Sequence, residues 1–205
     1  MIAIIDYKAG NLASVRLAFQ ELGVEAVITS DADKLLAASR VVFPGVGAAG
    51  SAMRNLRELG IRDIIPAVVE RGTPFLGICL GMQILFEKSE EDGGAECLGI
   101  AAGSVKRFRP ATRADKVPHM GWNAVEQTRP HFLFRDIADG TEFYFVHSYY
   151  AEPSRPELVL GRTEYAGVAF ASVVGEANWI ATQFHPEKSG RFGLQLLRNF
   201  CEWKP

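Results

Sequence analysis

Apolar positions in the first half of the chain come in short runs that alternate with helical stripes. Ile2-Ala3-Ile4-Ile5 is a β-rich run closed by Asp6. Leu12, Val15, Phe19 and Leu22 then recur at the spacing of one helix face, with Asn11 placed as a cap and Gly23 as a stop. Residues 26–29 and 41–43 predict a second and a third strand, and the third breaks at Pro44-Gly45-Val46-Gly47. Met53 and Leu56 mark one face of a helix that runs to Gly60, and another helix covers about residues 61–71. Residues 74–78 form an apolar run long enough for a buried strand, and residues 80–87 read as a helix. This alternation predicts an α/β fold with a doubly wound, mostly parallel sheet flanked by helices. Ligands of such sheets lie beyond the carboxyl ends of the strands, where residues 44–47 and Cys79 fall.

The second half changes period. Residues 90–94 are acidic and Gly-rich, which reads as a surface loop. Short runs at 105–108, 122–127, 142–151, 158–163, 168–174 and 179–184 predict added antiparallel strands. Gly175-Glu176-Ala177-Asn178 reads as a hairpin turn. The chain closes on a helix whose Phe192, Leu196, Leu197 and Phe200 face inward. With no repeat, low-complexity tract or linker, residues 1–205 are expected to form one domain.

Composition narrows the function classes. A chain of 205 residues, 48% apolar and 22% charged, fits a soluble globular protein. A net charge of −2 argues against nucleic acid as a partner. No apolar run approaches the roughly 18–20 residues of a membrane span, so no membrane partner is expected. The first residues lack the basic segment of a signal peptide and read as a strand. Three cysteines (Cys79, Cys97, Cys201) without framework spacing fit a reducing cytoplasm. Neither a C-x-x-C pair nor an H-x-x-x-H spacing is present, so nothing suggests a metal.

The candidate chemistry centres on Cys79. Gly77-Ile78-Cys79-Leu80-Gly81 joins the apolar run to the predicted helix, the arrangement of a nucleophile elbow with sulfur as nucleophile. Glycines two residues before and after let the backbones cross, and a helix N-terminus favours a thiolate. Taken alone, Cys79 is equally compatible with a buried structural thiol. A nucleophile needs a base, and the base an orienting group. Of the four histidines, His185 follows a predicted strand directly, in Gln183-Phe184-His185-Pro186-Glu187. If Pro186 keeps this segment extended, Glu187 lies on the same side as His185. Alone, that segment also fits a strand end with a solvated carboxylate. Together with the elbow it suggests nucleophile, base and orienter converging on one sheet edge. The N–H of Leu80 and one from the 45–47 stretch, at Val46, are the candidate oxyanion donors. Residues 45–50 also spell G-x-G-x-x-G, but after the third strand and without a partnering lysine, which disfavours a nucleotide site.

The order and spacing of G-I-C-L-G-M-Q (Gly77 to Gln83) and H-P-E (His185 to Glu187) resemble the class I, triad-type glutamine amidotransferases over essentially the whole chain. Further stretches narrow the resemblance to the glutaminase subunits of imidazole glycerol phosphate synthases. They are P-G-V-G at 44–47, P-H-M-G-W-N at 118–123, F-V-H-S-Y at 145–149 and H-P-E-K-S at 185–189. The start, Asp6 to Asn11, is similar to that subfamily's D-Y-G-x-G-N but has Lys8 in place of glycine.

The resemblance implies glutamine hydrolysis with no cofactor. Cys79 would attack the carboxamide, His185 would protonate departing ammonia and then activate water, and Glu187 would hold His185. Gly45, Gly47, Gln83, Ser148 and Tyr149 would bind substrate. The implied partner is a (βα)8-barrel cyclase that receives the ammonia, with Asn11, Met120, Trp122 and Lys188 at or near the interface. Read from the residues alone, Met120 and Trp122 fit core as well as interface, and His119 and His147 fit structural roles. Another synthase's glutaminase, such as that of pyridoxal phosphate synthase, and a non-catalytic subunit of the same fold are the competing readings. A cysteine peptidase or chaperone would carry its histidine soon after the nucleophile, and none occurs between Cys79 and His119.

Overall fold

The computed structural model of the chain describes residues 1–8, 10–110, 112 and 115–205. The first half runs β1 (Ile2–Ile5), α1 (Leu12–Glu21), β2 (Ala26–Thr29), α2 (Ala32–Ala37), β3 (Arg40–Gly45), α3 (Ala49–Glu58), α4 (Ile64–Glu70), β4 (Phe75–Cys79) and α5 (Leu80–Gln83). The second half contributes β5 (Lys88–Ser89), β6 (Ala95–Glu96), β7 (Gly103–Arg107), β8 (His119–Ala124), β9 (Glu126–Gln127), β10 (Glu142–His147) and β11 (Tyr149–Pro153). It ends with β12 (Val159–Tyr165), β13 (Val168–Glu176), β14 (Trp179–Thr182) and α6 (Gly190–Glu202). No helix among the described residues is long and apolar enough to cross a membrane.

The early strands lack polar alternation because both of their faces are covered. Ile2 and Ile4 of β1 share a buried cluster with Val15 and Phe19 of α1 and Leu196, Leu197 and Phe200 of α6. Ala3 and Ile5 join Leu35 of α2, Met53 and Leu56 of α3 and Val68 of α4 on the opposite face. Strand β3 divides in the same way, Val42 to the first face and Val41 and Phe43 to the second. The sheet is therefore doubly wound, as the periodicity predicts.

Among the described residues the main sheet runs β2-β1-β3-β4-β14-β13-β11-β7-β5-β6, with β12 paired to β13 and β9. Pairing is parallel from β2 through β14 and antiparallel from β14 through β13 and β11 to β7. Strand β14 returns late in the sequence to lie against β4, with Thr182 opposite Ile78. That one pairing carries the segment after residue 182 to the edge where Cys79 ends β4. A separate ribbon pairs β8 with β10.

Several expectations are corrected. The helix expected over 80–87 ends after one turn at Gln83. Its continuation is pre-empted because the carbonyls of Ile84, Leu85 and Phe86 accept from the N–H groups of Leu98, Ala101 and Gly99. The run 142–151 is two strands in two sheets, broken at Ser148. Strand β3 does not break at Pro44; it continues to Gly45, which pairs with Cys79. Asn11 does not cap α1 with its side chain, for reasons that appear at the site.

Candidate active site

The elbow is built by close backbone approach. Cys79 has φ 54° and ψ −107°, a conformation that costs a non-glycine residue roughly 1–3 kcal/mol. The glycines on either side make it possible. A Cβ on Gly77 would lie 2.7 Å from the Gly81 carbonyl oxygen, and one on Gly81 would lie 1.9 Å from the Phe43 carbonyl oxygen. Strand β4, helix α5 and strand β3 therefore touch backbone to backbone, and the thiol is fixed at their junction. Gly45 belongs to this junction, since a Cβ there would meet the Cβ of Leu80 at 2.6 Å. It packs beneath the cleft and is not among the residues that line it.

His185 and Glu187 arrive by way of β14. The segment is not extended as expected: Pro186–Lys188 is a turn of 3-10 helix, and it is this turn that swings Glu187 back to the imidazole. Glu187 Oε1 accepts from His185 Nδ1 at 2.8 Å, and both side chains are essentially shielded from solvent, at 1% and 0% exposure. The same oxygen accepts from Asn11 Nδ2 at 2.6 Å, so the Asn11 amide serves Glu187 and leaves α1 uncapped. Burial alone would lower the His185 pKa. The charges of Cys79 and then Glu187 outweigh it, and the imidazolium is pushed up to about 10. With Nδ1 committed to Glu187, Nε2 is the nitrogen left for proton transfer with Cys79 and substrate.

A cleft of about 310 Å³ collects Val46, Gly47, Cys79, Leu80, Gln83, Ser148, Tyr149 and His185. Gln83 is 4% exposed, and its amide donates to the Tyr149 carbonyl at 2.9 Å and to Gln183 Oε1 at 3.1 Å. Its amide hydrogens are thus engaged with protein, where they brace the wall formed by Tyr149. The thiol lies 3.9 Å from the Val146 carbonyl and 3.7 Å from the Gln183 amide nitrogen. Leu80 heads α5 beside the thiol. Val46 is differently placed from expectation. Its N–H donates to the Tyr7 hydroxyl at 3.2 Å and is not offered to the cleft.

Two features escaped the sequence reading. Glu91, assigned to a surface loop, is half-buried and is the one carboxylate lining the cleft among the described residues. Its Oε2 accepts the Ala49 N–H at 2.7 Å and so caps α3, whose own N-cap, Ala48, has no side-chain acceptor. Burial raises its pKa. The available signal was the lack of any capping side chain at Ala48. The second feature is a buried chain of two histidines. His147 Nδ1 lies 2.7 Å from the Tyr149 carbonyl, which can only accept, so Nδ1 carries hydrogen. His147 Nε2 then accepts from His119 Nδ1 at 3.0 Å, and His119 Nε2 accepts from Asn123 Nδ2 at 3.3 Å. Burial lowers the pKa of His147 to about 3 and that of His119 to about 4, so both rings are neutral.

Met120 and Trp122 project from β8 at 63% and 54% exposure, so neither is core. Lys188 is exposed on the turn next to Glu187. Lys8 pairs with Glu58 on the surface at 3.4 Å. A larger groove of about 600 Å³ along Lys88, Glu90 and Lys106 shares no residue with the cleft, and Glu90 is neutralised there by Lys106 and Arg109.

The family model for class-I glutamine amidotransferases matches residues 3–203. The chain is 50% identical over 200 residues to the imidazole glycerol phosphate synthase subunit HisH of Dehalococcoides mccartyi, covering 98% of this chain and 96% of that protein. It is 52% identical over 201 residues to the subunit of the same name from Moorella thermoacetica, covering 98% and 94%. A solved glutamine amidotransferase structure superposes with a TM-score of 0.75 at 20% identity, covering 98% of both chains, a likeness of fold.

Proposed function

Because this chain belongs to the class-I glutamine amidotransferase family, we propose that it is the glutaminase subunit of an imidazole glycerol phosphate synthase in histidine biosynthesis, working in the cytoplasm. The observation that carries the chemistry is the meeting of Cys79 with the buried His185–Glu187 pair in one cleft. Cys79 Sγ attacks the glutamine carboxamide carbon, and the carbonyl oxygen takes up negative charge beside the Leu80 N–H. His185 Nε2 gives its proton to the departing nitrogen, which leaves as ammonia. His185 Nε2 then takes a proton from water, whose oxygen adds to the γ-glutamyl thioester and expels Cys79 Sγ, releasing glutamate. Glu187 fixes the ring and balances the imidazolium, with Asn11 holding the carboxylate.

Glutamine also brings an α-ammonium group, and Glu91 is the acceptor available in the cleft. Glu91→Gln keeps an oxygen for the Ala49 N–H and removes the charge. We expect KM for glutamine to rise roughly 10–100-fold with little change in kcat, the worth of a hydrogen bond to a charged group. Steady-state kinetics check this, and an unchanged KM would remove Glu91 from substrate binding.

Ammonia protonated by bulk water cannot act as a nucleophile, so a second active site must receive it directly. Support for a second synthase subunit in that role, read here as a (βα)8-barrel cyclase, comes from the relatives' shared name as synthase subunits and from the exposed Met120 and Trp122 of β8, where Met120 pairs with Val146 of the cleft. The deciding experiment measures glutamate release by the chain alone, then with the cyclase, then with the cyclase and its ribonucleotide substrate. The expected result is a slow reaction alone and at least about a 100-fold rise in the loaded complex, the worth of one oxyanion donor. Equal rates in all three would overturn the coupling, and no glutamate in any would overturn the assignment.

A further inference from the structure

The proposal rests on the glutaminase reading above and concerns how its rate is held down. We propose that Tyr7 is a positioning residue whose hydroxyl latches the Val46 peptide with its N–H turned away from Cys79 in the unpartnered chain.

The register between β3 and β4 sets Gly45 opposite Cys79, so Val46 is the first residue past the nucleophile on the neighbouring strand. It lines the cleft with Cys79 and Leu80, which places its peptide where a second oxyanion donor is needed. The N–H instead meets the Tyr7 oxygen at 3.2 Å, and the Val46 carbonyl lies 3.4 Å from the same oxygen. One hydroxyl thus holds both polar groups of one peptide residue.

The latch is rigidly mounted. Tyr7 is 1% exposed, and its ring stands edge-on to Phe43 with centroids 4.9 Å apart and planes at 86°. Its carbonyl accepts from the Asn55 amide of α3 at 2.9 Å. Gly45 makes room for it, since a Cβ there would be 2.9 Å from the Tyr7 oxygen. Burial raises the phenol pKa, so the hydroxyl is neutral at physiological pH. The pivot is next door, because Gly47 has φ 99°, a left-handed value that glycine leaves and re-enters at low cost. Gly10 faces the same residue from a second direction: a Cβ built on it would sit 3.5 Å from Val46 Cγ2. The neighbouring Asn11 reaches Glu187. Displacement of Gly10 and Asn11 would therefore be felt at Val46 and at Glu187 together.

Tyr7→Phe keeps the ring and deletes the latch. Losing one neutral hydrogen bond shifts a two-state balance by roughly 2–10-fold. Glutamate release by the isolated chain is expected to rise by that factor, in kcat and not in KM, while the rate of the loaded complex with the cyclase stays the same. A purely structural tyrosine would give a lower or unchanged basal rate, and that result in a variant with normal circular dichroism would overturn the proposal. Hydrogen exchange on the wild-type chain gives a test that needs no variant: the Val46 amide should be protected when the chain is alone, and exchange as fast as an open loop amide would also overturn it. The wild-type loaded complex separates the two readings. If that complex releases no glutamate, the glutaminase assignment fails; if it does and Tyr7→Phe leaves the basal rate unchanged, the latch alone fails.

Discussion

Cys79→Ala is expected to abolish glutamate release, in the chain alone and in the loaded complex, by roughly 10⁴-fold or more. Among the described residues Cys79 carries the only thiol that lines the cleft, and both half-reactions depend on its acyl intermediate. Folding should be spared. The thiol makes only long contacts, 3.9 Å to the Val146 oxygen and 3.7 Å to the Gln183 amide nitrogen, and alanine tolerates the positive φ about as well as cysteine. A glutaminase assay paired with thermal unfolding checks both halves. Turnover retained at even a hundredth of the wild-type rate would move the nucleophile elsewhere, and a collapse in thermal stability would make Cys79 a core thiol first.

Gly81→Ala is expected to be the most damaging single methyl group in the elbow. The added carbon would sit 1.9 Å from the Phe43 carbonyl oxygen and 2.9 Å from its carbon, and backbone cannot rotate aside as a side chain can. Either α5 lifts off β3 or the two strands part, and each opens the cluster around Phe43, Leu80 and Met82. Overpacking of this kind costs about 3 kcal/mol or more. In a chain of this size that corresponds to a fall in Tm of roughly 6–12 °C. A calorimetric scan showing a fall of less than about 2 °C would mean that the crossing is looser than its geometry.

The frame of the site was legible in the sequence, while its fine settings were not. Unbroken apolar runs located β1, β3 and β4 because strands covered on both faces have no polar side to display. Gly77 and Gly81 located the elbow because only glycine permits that backbone crossing. Helix α2 was not delineated; six residues hold one buried leucine, although Asp31, which accepts from the Asp33 and Lys34 N–H groups, marked its start. The run 142–151 reads as one strand because residue type does not report a change of sheet at Ser148. Glu91 resembled solvated acid among Glu90, Asp92 and two glycines, since its burial depends on α3 arriving from elsewhere. The direction of the Val46 N–H lay beyond sequence altogether: a peptide turned inward and one turned outward are spelled by the same letters.

The two-histidine chain bears on the basicity of the product. Every donor in it points toward the Tyr149 carbonyl, from Asn123 through His119 and His147, and each ring keeps its single hydrogen in that bond. Passing a proton along the row would require reversing both tautomers and detaching the carbonyl, so the row does not conduct. Its rings are also too weakly basic to hold a second proton that they could later give up. Ammonia released in the cleft therefore meets, on this side, a wall that is polar yet not acidic. His185 is the acid that protonates the leaving nitrogen, and once it has done so it is a base. The product can then depart as free ammonia, which is the form a second enzyme can use.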